Sequence, residues 1–377
     1  MSEQSRPGTK AVKLKEICIK ESSSLRQKDL LAEGLFPVYG AAGIAGTLNE
    51  YQIDKQYVAV IKDGAGVGRA RLCDSKTSVL GTMQALVPRD SVMPEYLLYL
   101  VRSMNLGSGF TGSTIPHIYF RDYGERTVPL PSMEQQALIA RRFRQVEGVI
   151  GILNAQFTVL DDLVKSRFVE MFGDPVNGGF WPMKELGEIY RVSSSRRIYA
   201  KEQTKEGVPF YRLADVGCLA DGLIPADGLF ISEERFTELN EAGYVPSAGD
   251  ILVTARGTLG RCYIIREDDR FYFQDGMITW LGQTEMSPRS GYLAALFSNE
   301  HFSKSLNDSC SGTTVRYLSI SDLAKTSVPI PPFDVQDTFL RFVAQVDKTK
   351  AVVQQSIDKL QMLYDSLAQE YFGGGRE

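Results

Sequence analysis

The feature that most limits how this 377-residue chain can fold is an internal duplication. Val128-Pro129-Leu130-Pro131 returns 200 positions later as Val328-Pro329-Ile330-Pro331, and the register then holds without a gap to Phe172-Gly173 and Phe372-Gly373. Gln136 matches Gln336, Arg141 matches Arg341, Gln145-Val146 matches Gln345-Val346, Leu160 matches Leu360 and Glu170 matches Glu370. The same offset covers Gly112-Ser113-Thr114-Ile115 and Gly312-Thr313-Thr314-Val315. The modules also open alike, Leu14-Lys15-Glu16-Ile17 against Leu186-Gly187-Glu188-Ile189, at an offset of 172, so the second variable region is 28 residues longer. Self-similarity of this length means two copies of one structural unit.

After Pro131 and Pro331 the apolar pattern becomes helical. Ile139, Phe143, Val146, Ile150, Leu153, Phe157, Leu160 and Val164 fall at alternating steps of four and three. The second copy gives Phe339, Val343, Val346, Lys350, Val353, Ile357, Leu360 and Tyr364, with one polar break at Lys350. That is the seam of a coiled coil. A helix of roughly 40 residues extends about 60 Å, and Gly173 and Gly373 stand where C-cap glycines would end it. A long helix with so narrow a stripe needs a partner. The other copy, packed antiparallel under a pseudo-two-fold repeat, is the expected one; pairing with another chain is the alternative.

The regions between the helices read as mixed α/β with short strands, among them Tyr57–Ile61 and Asp250–Thr254. Each of these strands leads into a small-residue loop ending in Gly-Arg: Lys62-Asp63-Gly64-Ala65-Gly66-Val67-Gly68-Arg69, and Ala255-Arg256-Gly257-Thr258-Leu259-Gly260-Arg261. Glycines admit close backbone approach, and an arginine fork suits phosphate or guanine; a tight turn with an exposed arginine is the plainer reading. Arg71 follows shortly after. Ser113 and Thr114, with His117 behind them, and Thr313 and Thr314, with Arg316 and Tyr317, carry hydroxyls that suit phosphate oxygens or base edges. They equally suit capping of a short helix. Arg191, Arg196, Arg197 and Lys201 form a basic strip, fit for phosphates or simply a solvated face.

Composition limits the alternatives. No apolar run approaches the roughly 20 residues of a membrane span, and the polar start carries no signal-peptide pattern, so a cytoplasmic chain with no membrane partner is expected. Five scattered cysteines point to reduced thiols, and two histidines make a His-rich metal site improbable. The net charge of −4 runs against a free-standing nucleic-acid binder. No phosphate-loop motif occurs. The first glycine loop lacks dinucleotide-fingerprint spacing. Pro329-Ile330-Pro331-Pro332-Phe333 puts Ile330 where an amino-methyltransferase needs an amide or carboxylate. No catalytic residue is expected, and no metal.

The order of variable region, "Val-Pro-x-Pro", Gln-containing helix start (Met133-Glu134-Gln135-Gln136; Phe333-Asp334-Val335-Gln336), heptad helix and "Phe-Gly" resembles the type I restriction-modification specificity subunit. Phe172-Gly173-Asp174-Pro175, then Trp181, resembles that family's junction between halves. The resemblance implies an α+β (mixed) chain with target recognition domains at 1–131 and 174–331 and long coiled-coil helices at 132–173 and 332–373. It implies that each variable domain reads one half of an asymmetric, bipartite site in double-stranded DNA. The helix pair would set the spacer and dock two methyltransferase subunits, with motor-nuclease subunits in the full complex. S-adenosylmethionine, ATP and Mg²⁺ would belong to those partners and none to this chain. The rival expectation is a coiled-coil adaptor that binds no DNA, or an orphan subunit that sequesters methyltransferases.

Overall fold

The structure, a computed structural model, describes residues 9–109, 116–176, 180–225, 228–308 and 317–373. The first module runs β1 (Lys10–Lys13), α1 (Leu14–Ile17), β2 (Cys18–Ser22), β3 (Phe36–Gly40), β4 (Gly43–Leu48), β5 (Tyr57–Ile61), β6 (Ala70–Cys73), β7 (Ser78–Val79), β8 (Met83–Pro88), α2 (Pro94–Ser103), α3 (Phe120–Tyr123), β9 (Thr127–Leu130) and α4 (Met133–Phe172). The second runs β10 (Met183–Glu185), α5 (Leu186–Ile189), β11 (Tyr190–Ser193), β12 (Gln203–Thr204), β13 (Val208–Tyr211), α6 (Leu213–Ala220), β14 (Leu229–Ile231), α7 (Glu233–Glu241), β15 (Ile251–Thr254), β16 (Cys262–Ile264), β17 (Tyr272–Phe273), β18 (Ile278–Gln283), α8 (Ser290–Phe297), α9 (Glu300–Asp308), α10 (Ile320–Ala324), β19 (Ser327–Pro329) and α11 (Phe333–Phe372). Helix and sheet are mixed as the sequence indicates. From Cys18 to Tyr57 the first module places β3 and β4, whereas from Tyr190 to Ile251 the second places β12, β13, β14, α6 and α7. Most of its extra length lies there.

Two compact units emerge, one of residues 1–156 with 353–377 and the other of 157–352. Each therefore holds one variable region, the start of that module's long helix and the end of the other module's. In the first unit, strands in the order β2-β8-β5-β6 form an antiparallel sheet. Val58, Val60 and Leu86 face Leu97 and Val101 of α2 on one side, while Tyr57, Ala59, Ile61 and Ala85 join Val79 on the other. All of β5 is buried, which explains why it reads as an unbroken apolar run. The smaller sheet β4-β3-β7 carries a parallel β3–β7 pair.

The second unit repeats this plan with β11-β18-β15-β16. Ile251, Val253 and Leu281 face Tyr292, Leu293 and Leu296, and Leu252, Ile278 and Trp280 face Val216 and Phe273. Its smaller sheet, β12-β14-β13-β17, keeps the parallel pair as β13–β17.

The matched glutamines explain why the repeat is tightest at the helix starts. Gln136 is 0% exposed; its Oε1 accepts from Met93 N–H (2.8 Å) and its Nε2 donates to Ser91 O (2.9 Å) and Pro131 O (3.0 Å). Gln336 accepts from Arg289 N–H (2.7 Å) and donates to Pro331 O (2.7 Å). The Tyr96 hydroxyl donates to Pro129 O (2.7 Å), and that of Tyr292 to Pro329 O (2.9 Å). Burial pushes both phenols above their ordinary range, so they remain protonated donors.

The long helices run antiparallel within each unit. Phe143, early in α4, meets Tyr364 (4.9 Å between centroids) and Phe372 (5.7 Å), late in α11. Phe172, at the end of α4, meets Phe339 (5.3 Å) near the start of α11. None of the seam positions is exposed, and Ile139, Phe143, Val146, Phe339, Val346 and Val353 are buried. Ile150, Leu153, Phe157, Leu160, Val343 and Ile357 are half-buried. The polar break at Lys350 is filled by an ion pair with Asp161. Gly173 takes the left-handed conformation (φ 74°) that C-cap glycines use, whereas Gly373 follows Phe372 without a positive φ.

Cys18, Cys73, Cys218 and Cys262 are free thiols, and burial pushes Cys18 and Cys73 up to about 12. Among the described residues no helix is long and apolar enough to cross a membrane.

Candidate nucleic-acid interface

The two sequence motifs of each variable region meet in space. In the first unit Gly68 N–H donates to Ile61 O (2.8 Å) and Ile61 N–H to Arg69 O (2.9 Å). In the second, Gly260 N–H donates to Thr254 O (2.9 Å) and Thr254 N–H to Arg261 O (3.0 Å). Lys62 thereby corresponds to Ala255, Asp63 to Arg256, Gly64 to Gly257 and Arg69 to Arg261. Ile118 N–H then donates to Lys62 O (3.0 Å) and Leu318 N–H to Ala255 O (3.0 Å). Asp63 and His117 form an isolated antiparallel bridge, as do Arg256 and Tyr317.

The glycines divide into two kinds. A Cβ on Gly68 would lie 2.2 Å from the backbone nitrogen of Gly107, and one on Gly260 would press on Leu306 (3.1 Å), so both are packing glycines. Gly64 (φ 89°) and Gly257 (φ 66°) have nothing within 4 Å of such an atom. They are the open corners of the loops, where a ligand can approach backbone.

In the first unit the side chains at this corner are of mixed charge. His117 Nδ1 lies 2.7 Å from Asp63 Oδ1, and Lys62 lies 4.0 Å from Asp63. Arg69 is exposed and turns back on its own loop, Nε donating to Gly66 O (3.3 Å). Arg71 sits over the Tyr39 ring (5.7 Å), and its buried Nη1 has no hydrogen-bond partner among the described residues.

The second unit is more basic at the same place. Arg256, exposed, stacks on Tyr317 (5.0 Å). Arg197 pairs with Asp275 (2.9 Å), Arg196 covers the Tyr244 ring (4.3 Å), and Arg191 covers Trp280 (4.8 Å). Exposed Thr258 takes part through its carbonyl, which accepts from the Thr254 hydroxyl (2.6 Å). Arg261 differs from Arg69: it donates to Gly217 O and pairs with Asp221, tying the loop to the end of α6. Ser113, Thr114, Thr313, Thr314 and Arg316 lie outside the described residues. The described cap of α10 is Ser319, which accepts from Asp322 N–H (3.0 Å).

Of these groups Arg197 and Arg256 line a cleft of about 410 Å³, whereas Arg191, Arg196, Thr258 and Arg261 are not on its lining. Three further polar side chains line it that no sequence motif marks: Gln203, Arg212 and Gln274. Gln203 is placed by the β12–β14 pairing, and Arg212 and Gln274 by the β13–β17 pairing, which joins residues some sixty apart through a two-residue strand.

Comparison with known proteins fits this duplicated plan. The family model of the type I restriction modification DNA specificity domain matches residues 8–159 and again residues 180–362. The chain belongs to that family. Among its specificity relatives, the Type I restriction enzyme MjaVIII specificity subunit of Methanocaldococcus jannaschii is 22% identical, over 87% of this chain and 83% of the relative. A crystal structure of the Type-I restriction-modification system S subunit from M. genitalium shares its fold with a TM-score of 0.52 at 16% identity, covering 98% of each chain. A chain from a study of complex assembly and conformational transition of the type I R-M system gives a TM-score of 0.63 at 16% identity, covering 98% and 99%. In this specificity-family protein each matched region takes in one variable region, with its glycine loop, and much of the long helix that follows.

Proposed function

We propose that this chain is the DNA-reading subunit of a type I restriction-modification complex and that each unit reads one half of an asymmetric, bipartite duplex site. One observation carries the reading: both units build the same backbone corner, Gly64 beside His117 and Gly257 beside Tyr317, and then equip it with different side chains. A common scaffold with divergent tips is what reading two unlike half-sites requires.

On this reading α4 and α11 set the spacer. Two methyltransferase subunits dock on the helices, for which Leu138, Val149, Ile152, Val159 and Leu163 of α4 offer apolar side chains left exposed. The chain itself performs no catalytic step. S-adenosylmethionine comes with the methyltransferases, and ATP and Mg²⁺ with motor-nuclease subunits; the assembly works on duplex DNA in the cytoplasm. A subunit held on DNA by partners can carry a net charge of −4 and rely on local basic clusters. That same charge favours the second reading, an adaptor that binds methyltransferases and no DNA.

Co-expression with a methyltransferase subunit, followed by mapping of modified adenines, separates the two. A motif of two unlike halves supports DNA reading. A stable complex that leaves DNA unmodified supports the adaptor.

A further inference from the structure

We propose that Arg212 and Gln274 form a base-reading pair in the second unit, Arg212 addressing a guanine and Gln274 an adenine of neighbouring base pairs. This rests on the DNA-reading function above and assigns its chemistry to two side chains.

The pair is built by the smaller sheet. β13 and β17 run parallel with Phe210 opposite Tyr272 and Tyr211 opposite Phe273, and the ladder continues as Gln274 N–H donates to Tyr211 O (2.9 Å). Arg212 and Gln274 are therefore the next residues of two paired strands. Neighbouring strands lie about 4.8 Å apart, and stacked bases rise about 3.4 Å along a strand. Two side chains leaving the same end of two paired strands at that spacing can each reach its own base pair.

Both residues line the arginine-bearing cleft. Their polar ends make no hydrogen bond or ion pair among the described residues, unlike the committed arginines nearby; Gln203 is likewise uncommitted but lies on β12, a strand paired with neither of theirs. Arg197 is committed to Asp275 and Arg261 to Asp221. Arg256 lies over Tyr317 at the open loop corner. Arg212 spends its backbone on the start of α6, its N–H donating to Asp215 Oδ2 (2.8 Å) and its carbonyl accepting from Asp215 and Val216 N–H (3.0 Å each); its guanidinium has no ion-pair partner among the described residues. The Gln274 amide likewise makes no hydrogen bond to a described residue. Ile198, Phe210 and Leu229 give the same cleft an apolar share of its lining, against which a base can pack while its polar edge meets these side chains.

Chemistry then selects the bases. An arginine fork matches the two acceptors of guanine, and a glutamine amide matches the acceptor and donor of adenine. The half-site read by the second unit should therefore contain a guanine and an adenine in adjacent base pairs, on the same strand or on opposite strands.

The test uses the chain in complex with its methyltransferase subunits and a duplex library randomised over both half-sites, read by adenine methylation. Arg212→Ala should relax one position of one half-site by about 5- to 150-fold in discrimination, and Gln274→Ala the adjacent position. The other half-site should keep its preference. Arg212→Lys, which preserves charge without the fork, should relax guanine as Arg212→Ala does.

Uniform weakening across all sequences, with Arg212→Lys restoring it, would overturn the pair as base readers while leaving the DNA-reading function intact; so would relaxation in both halves. If the unaltered complex methylates no bipartite motif, the function itself fails. Intact methyltransferase co-purification and an unshifted melting temperature show that any effect is not loss of folding.

Discussion

The loop corners of the two units have one backbone and two electrostatic characters. Where the first unit places Asp63 against His117, the second places Arg256 over Tyr317, with the same hydrogen bond to the following residue in each. A further contrast lies just beyond. Among the described residues Arg69 is exposed and bonded only to its own loop, while Arg261 is locked to α6, which has no counterpart among the described residues of the first unit. Equivalence of backbone therefore does not mean equivalence of role. In the first unit the loop arginine is available, whereas in the second it anchors and other arginines line the cleft.

The sharpest way to break the comparison is at the helix ends, where the units are built most alike. Phe172 packs on Phe168, Tyr292 and Phe339, whereas Phe372 packs on Tyr96 and Phe143. Phe172→Ala should cost about 3–5 kcal/mol, and Phe372→Ala, a slightly less enclosed residue at 7% exposed, somewhat less. Urea unfolding measures both; equal losses would mean that the two junctions are energetically interchangeable.

Next come the buried glutamines. Removing either leaves backbone groups without partners, at about 1–3 kcal/mol. Gln136→Ala should lie above Gln336→Ala, since its amide serves three groups rather than two. The reverse order in thermal melts would contradict the bonding described here.

The loop arginines sharpen the contrast further. Arg261→Ala should lower stability by about 1 kcal/mol. Arg69→Ala should stay within about 0.5 kcal/mol yet weaken methylation at one half-site only. An Arg69→Ala variant that instead loses the methyltransferase would make that arginine structural.

The smallest effect is expected at Asp63. Asp63→Asn removes a negative charge beside His117 and should tighten non-specific duplex binding by about two- to five-fold at low salt, fading as salt screens it. Titration at two salt concentrations would show this, and no change would place the first loop away from phosphate.

Much of this organisation is legible in the sequence because it is periodic. The 4-3 spacing of Phe143, Val146, Ile150 and Leu153 specifies the seam without reference to tertiary structure, and even the break at Lys350 has a local answer in Asp161. Gln136 and Gln336 signal the junction because a buried amide tolerates little change. The site is less legible. Arg69 and Arg261 both end a small-residue loop in Gly-Arg, and α6 decides that one is bound and the other available. Arg212 and Gln274 carry no motif, since their proximity depends on a parallel pairing two residues long. The unit boundaries follow the same rule: composition changes at the ends of the long helices, whereas the packing divides near their middles.

The most direct test of the account is a genome-wide map of modified adenines in cells co-expressing this chain and its methyltransferase subunit. The account predicts one motif made of two unlike halves separated by a fixed run of unspecified bases. A continuous motif, a palindrome of two identical halves, or unmodified DNA despite a stable complex would contradict it.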